Sequence, residues 1–228
     1  MKAIFYGHSF VELKIQGEDK EYTVLIDPFI TGNPFADMDP NEVKCDYIIL
    51  THAHGDHYGD TEIIAKNNDA TVISNFEIGE YVMGKDIKAH QMHIGGANSF
   101  PFGKVKFTIA HHGSSFPDGS YGGNPTGVIV SNNGSILYHA GDTGIFYDMK
   151  LIGEMHNINL AFLPIGDNFT MGINDAVKAT EFVNPDTVVP IHYNTFEPIK
   201  VDTEEFRKKV EAIGKKCLVM KPGDEIEI

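Results

Sequence analysis

The residues best suited to chemistry form one short run, Thr51-His52-Ala53-His54-Gly55-Asp56-His57. It follows an apolar, strand-like segment over 47–50, so its side chains sit at a strand's end, where a rigid scaffold can aim them at one point. Imidazole and carboxylate together are the ligand set for zinc, iron or manganese. Three further sets stand just past strand-like runs: His111/His112, Asp142 in His139-Ala140-Gly141-Asp142-Thr143, and His192 in Pro190-Ile191-His192-Tyr193. Alone, a histidine past an apolar strand reads as a satisfied structural residue, and Gly-Asp-Thr reads as a turn. As a set they exceed what one ion can use, and two metals are implied. Which of the adjacent His111 and His112 joins them stays open, because neighbours on a strand point to opposite faces. Gly55 is expected to allow a sharp bend within the run, with no helix needed to orient it.

The elements that must hold these residues alternate along the chain. Strands are expected over 3–6, 9–15, 22–26, 47–50, 71–74, 105–109, 127–131, 136–138, 160–163, 187–190 and 217–220. Several are near-continuous apolar runs, as in strands covered on both faces. Helices are expected over 61–66, 78–83, 174–182 and 203–213. The last has Asp202 or Thr203 as its N-cap, acidic residues in its first turn, Gly214 as its stop, and an apolar face of Phe206, Val210 and Ile213. The pattern predicts an α/β fold of two packed sheets with helices outside, one domain over 1–228 or two similar halves around a shared core.

With 228 residues, 42% hydrophobic and 22% charged, the chain has the balance of an ordinary globular protein. A formal net charge of −14 argues against nucleic acid as a partner, since phosphate contacts need clustered cations. The densest basic cluster, Arg207, Lys208 and Lys209, falls on the solvated face of a predicted helix. Cys45 and Cys217 lack CxxC spacing and read as free thiols. The N-terminus reads as a strand, not a signal peptide, and no apolar run could span a membrane. A cytoplasmic location is the expectation.

The order His-x-His-x-Asp-His, then His, then Gly-Asp-Thr, then a C-terminal His resembles the metallo-β-lactamase superfamily. More narrowly, Gly7-His8-Ser9, Ile26-Asp27-Pro28-Phe29, Gly32-Asn33-Pro34, the 138–143 motif and Pro190-Ile191-His192-Tyr193 resemble metal-dependent hydrolases related to ascorbate-6-phosphate lactonase, over almost the whole chain. The resemblance implies an αββα four-layer sandwich of two similar halves. It implies that His52, His54 and His112 hold a first metal, that Asp56, His57 and His192 hold a second, and that Asp142 bridges them. Aligning Ser114-Ser115 with the family's Ser-rich stretch favours His112 over His111. Asp27 is either a turn residue or the group that orients a ligand histidine. His8 and His139 belong to family motifs, with buried supporting roles expected rather than ligation.

Two divalent cations, zinc foremost with manganese or iron as alternatives, would acidify a shared water that attacks a carbonyl or phosphoryl centre. Asp56 is expected to combine ligation with proton handling. The expected substrate is a small lactone or phosphorylated metabolite. A phosphodiesterase or nuclease is the second reading, and a non-hydrolytic di-iron redox or metal-sensing protein the third. Phe116, Tyr121, Phe146, Phe169, Tyr193 and Phe196 are candidates to wall the pocket. A homo-oligomer is a further expectation from the resemblance.

Overall fold

The computed structural model describes residues 1–228. In the first half, β1 (Lys2–Phe5) and β2 (Val11–Gln16) alternate buried and part-exposed side chains, the signature of antiparallel strands with one face on a core. They pair with each other and β2 pairs with β3 (Glu21–Ile26), beyond which β4 (Tyr47–Ile49), β5 (Thr71–Asn75) and β6 (Ala89–Met92) follow in parallel. The second half repeats this plan. Antiparallel β7 (Ala97–Phe100), β8 (Gly103–Ile109), β9 (Thr126–Asn132) and β10 (Ser135–His139) give way to parallel β11 (Leu160–Pro164), β12 (Thr187–Ile191) and β13 (Lys216–Cys217). The C-terminal β14 (Glu225–Glu227) returns to pair with β1. Two seven-stranded sheets result, ordered β14-β1-β2-β3-β4-β5-β6 and β13-β12-β11-β10-β9-β8-β7.

The inner faces of the sheets enclose one core, where Leu13, Ile15 and Val24 meet Phe102, Phe107, Leu137 and Phe162. Helices cover the outer faces. Ile64 of α2 (Thr61–Asn68) and Ile78 and Val82 of α3 (Phe76–Met83) pack on the first sheet. Ile152 of α4 (Met149–Met155), Ala176 and Ala179 of α5 (Ile173–Val183), and Phe206 and Val210 of α6 (Thr203–Ala212) pack on the second. The expected helix–sheet–sheet–helix layering is what forms. Asp202 caps α6 by accepting from the Glu204 amide at 2.9 Å, and Gly214 beyond it is left-handed at φ +76°. No helix is long and apolar enough to cross a membrane.

Several elements depart from the sequence reading. The edge strands β6, β7 and β14 are short and weakly patterned, so pairing rather than propensity forms them. The strand expected over 217–220 shrinks to Lys216–Cys217. Helix α4 carries Gly153 in its interior, where glycine is unfavourable, because a Cβ there would come within 2.3 Å of the Phe182 carbonyl on α5. Tertiary packing overrides propensity at that crossing.

Candidate metal centre

The loops that follow β3, β4, β8, β10 and β12 gather at one edge of the sandwich, beyond the C-terminal ends of parallel strands where α/β sheets place ligands. After β4, Thr51 and His52 are fully buried and the chain enters a single helical turn, α1 (Gly55–Tyr58). This corrects the expectation of a helix-free loop bent at Gly55. The helical turn carries Asp56 and His57 inward, and the left-handed residue is Gly59, where a Cβ would meet the Pro28 carbonyl at 2.4 Å.

Beside a set of Asp27, His52 and His57 whose carboxylate is spent on Thr51 and His57 Nδ1, two groups of ligand atoms result, each within 4.8 Å: His52, His54 and His112 in one, and His8, Asp56, His57 and His192 in the other. All seven expected residues converge here. Asp142 lies between the groups, its Oδ2 3.5 Å from His112 Nε2 and 3.0 Å from His192 Nε2, and its Oδ1 3.2 Å from His57 Nε2. His111 stays outside, exposed and stacked on Phe146 at 4.9 Å.

The donor atoms fit cations better than they fit one another. His57 Nε2, His192 Nε2 and Asp142 Oδ1 are buried without a hydrogen-bond partner, although they stand 3.0–3.2 Å from a neighbouring donor or acceptor. His52 Nε2 and His54 Nδ1 are likewise 3.0 Å apart. Those spacings approach the roughly 3.3 Å edge of a tetrahedron with metal–nitrogen bonds of about 2.0–2.1 Å.

Hydrogen bonds behind the rings decide which nitrogen faces the centre. Asp27 accepts from the Thr51 amide at 2.8 Å, from the Thr51 hydroxyl at 2.6 Å and from His57 Nδ1 at 2.8 Å. Its carboxylate therefore fixes a His57 proton on Nδ1 and turns Nε2 towards the centre as the nitrogen open to a cation. The Thr51 hydroxyl, its own proton committed to Asp27, accepts from His52 Nδ1 at 3.0 Å, with the same result for His52. Ser114 accepts from the Ala53 amide at 3.2 Å and donates to the Gly122 carbonyl at 2.9 Å, pinning the loop after His112 against the His52–His57 run. Asn75, the N-cap of α3, holds the same loop through the carbonyls of Gly122 and Asn124.

Burial pushes the imidazoles of His52, His54 and His112 below their usual value, which makes them neutral donors. In the other group burial also opposes charge, but the carboxylates together outweigh it, Asp142 and Asp27 raising His57 well above its usual value and Asp142 and Asp56 raising His192 to about 9. Asp56 and Asp142 are held ionised despite burial by the imidazoles around them. Protons on His57 and His192 thus supply positive charge that cations at the same nitrogens would supply instead.

His8, Asp27 and His192 all have left-handed backbones, at φ +56°, +49° and +52°, a conformation costing about 1–3 kcal/mol for residues other than glycine. Their clustering around the ligands marks a place where geometry is held against local preference. His139 has a supporting role: its Nδ1 accepts from the Gly141 amide at 3.1 Å and its Nε2 donates to the Ser9 carbonyl at 3.0 Å. His8 sits closer to the ligands than its motif suggests, with Nε2 3.2 Å from Asp56 Oδ2. Thr195 carries no signal in the sequence, and Thr51 and Ser114 stand in the motifs without their hydrogen-bonding roles being visible there. Of the candidate wall residues, Phe196 packs edge-on against His8 at 5.3 Å, Phe116 is buried against Tyr81, and Tyr121 and Phe169 are exposed.

A family described as the beta-lactamase superfamily domain matches residues 22–193. A UPF0173 metal-dependent hydrolase of Anoxybacillus flavithermus is 49% identical over 232 aligned positions, covering all of both chains. One from Bacillus thuringiensis is 48% identical, also over both full lengths. Among solved structures, Igni18, a metallo hydrolase from the archaeon Ignicoccus hospitalis, superposes with a TM-score of 0.89 at 38% identity, covering 100% of this chain and 98% of the other. With the paired sheets, the two ligand groups and full-length likeness agreeing, the chain belongs to the metallo-β-lactamase superfamily, within its UPF0173 family of metal-dependent hydrolases.

Proposed function

We propose that this metal-dependent hydrolase acts on a small lactone or a phosphorylated metabolite, with two divalent cations, zinc foremost and manganese or iron as alternatives. The observation that carries the reading is Asp142 standing between a group of three imidazoles and a group of mixed imidazoles and carboxylate. His52, His54 and His112 would hold one ion, Asp56, His57 and His192 the other, with Asp142 shared. Bound cations would supply the charge that acidifies water and polarises a carbonyl or phosphoryl oxygen.

The chain's own residues orient, exclude solvent and handle protons. Asp27 and Thr51 fix the tautomers of His57 and His52. His57, His192 and Asp142 are buried, whereas His54, His112 and Asp56 keep a part-exposed edge, so the substrate approaches over these three. Asp56 has 28% of its side chain exposed and meets both His8 and His192 through Oδ2, which leaves Oδ1 to take or return a proton at the substrate. An unchanged pH–rate profile in an Asp56→Asn protein that still binds both ions would count against that role.

The acidic charge supports a small-molecule substrate rather than nucleic acid, and the reading includes a cytoplasmic enzyme with no membrane partner. Sizing by light scattering tests the homo-oligomer. The deciding experiment presents zinc-, manganese- and iron-loaded protein with lactones, phosphorylated lactones and model phosphodiesters. Lactone opening is the expected result, and phosphodiester cleavage without lactone opening would overturn it in favour of a phosphodiesterase.

A further inference from the structure

His8 is fully buried beside the acidic group, yet the ligand assignment gives it no task. It lies within the same 4.8 Å set as Asp56, His57 and His192, so ligation is the first role to weigh. Its hydrogen bonds argue otherwise. Ionised Asp56 only accepts, so the Nε2 that faces its Oδ2 at 3.2 Å must carry a proton. The Nδ1 of the same ring is taken up by the Thr195 hydroxyl at 2.6 Å. Both nitrogens are occupied, and neither offers a lone pair to a cation.

We propose that His8 is a positioning residue for the cation of the acidic group: held by Thr195, it points an N–H at Asp56 while its carbonyl anchors His192. The carbonyl accepts from the His192 amide at 2.8 Å. The adjoining Ser9 carbonyl takes the His139 Nε2 proton, and His139 in turn accepts from Gly141, the residue before Asp142. The turn over 7–9 therefore touches three segments, carrying Asp56, His192 and Asp142, that are remote from it in sequence. A left-handed His8 bends the chain sharply enough for ring and carbonyl of one residue to reach two of them. The imidazole group receives no hydrogen bond from His8, so its ion is the internal control.

This inference rests on the two-cation reading above. Metal-free full-length protein, titrated with zinc against a chromophoric chelator, gives two stepwise dissociation constants. In His8→Ala one constant weakens about 10–100-fold, the range for groups that orient metal ligands, while the other stays within about threefold. Thr195→Val, which leaves the buried ring in place, shifts the same constant in the same direction. His8→Gln restores it, because its amide nitrogen donates where Nε2 did. A merely structural His8 would lower Tm and weaken both constants together, or neither; either result overturns the proposal, as does Thr195→Val binding like wild type. Fewer than two ions on the wild-type chain would sink the two-cation reading itself, and the inference with it.

Discussion

The two ligand groups share Asp142 but are assembled in different ways. The imidazole group takes His52 and His54 from one loop and His112 from the end of β8, and burial keeps its three rings neutral. The acidic group draws on residue 8, α1 and the end of β12, includes the Asp56 carboxylate, and relies on Asp27, Thr195 and the His8 carbonyl for orientation. Three left-handed residues lie on its side. Each group takes one histidine from the second half, His112 or His192, so both are completed only when the halves dock; the first otherwise comes from one loop, whereas the second must also bring residue 8 to α1. Nitrogen donors suit zinc, whereas added carboxylate widens the choice towards manganese, so the groups should differ in metal preference as well as in fragility.

Breaking the shared residue has the largest expected effect. Asp142→Ala removes a buried charge that both groups face, a loss of about 3–5 kcal/mol, or roughly 10²–10⁴-fold in kcat/KM, with metal content falling at both positions. Retention of two ions would mean that the groups do not depend on Asp142 in common. Stripping the metals is next: ions present at about 100 times their Kd contribute about 2.7 kcal/mol each, so calorimetry should record a Tm drop of about 5–10 °C per ion removed. A stepwise drop as chelator is added would sharpen the contrast between the groups.

Asp27→Asn tests the orienting network and should weaken metal binding about 10–100-fold. The ion at His57 suffers more than the ion at His52, which Asp27 reaches only through Thr51. Equal weakening, measured by competition titration, would remove that distinction. The smallest effect belongs to Asp202→Ala, which deletes the cap of α6 far along the chain from every ligand. About 1 kcal/mol of stability and 2–4 °C of Tm should be lost, with metal content unchanged.

How much of this is visible in the sequence follows from how local each feature is. The run from His52 to His57 is contiguous, and Asp142 and His192 sit in short motifs past apolar strands, so residue order and family resemblance suffice to single them out. The choice of His112 over His111 rests in the sequence only on aligning Ser114-Ser115 with the family's Ser-rich stretch, and the fold gives its reason, one ring facing His52 and the other stacking on Phe146. His8 is harder, because its partners lie 48 and 187 residues away and nothing beside it hints at them. The same holds for elements. Strands β9, β11 and β12 are legible as apolar runs, whereas β6, β7 and β14 exist through their neighbours. Helix α4, with glycine inside, forms because α5 lies close against it.

The central claim is two cations on either side of Asp142, and anomalous diffraction at the zinc edge from zinc-loaded crystals tests it most directly. Two peaks are expected, one enclosed by His52, His54 and His112 and the other by Asp56, His57 and His192. A single peak, or peaks away from Asp142, would contradict the account.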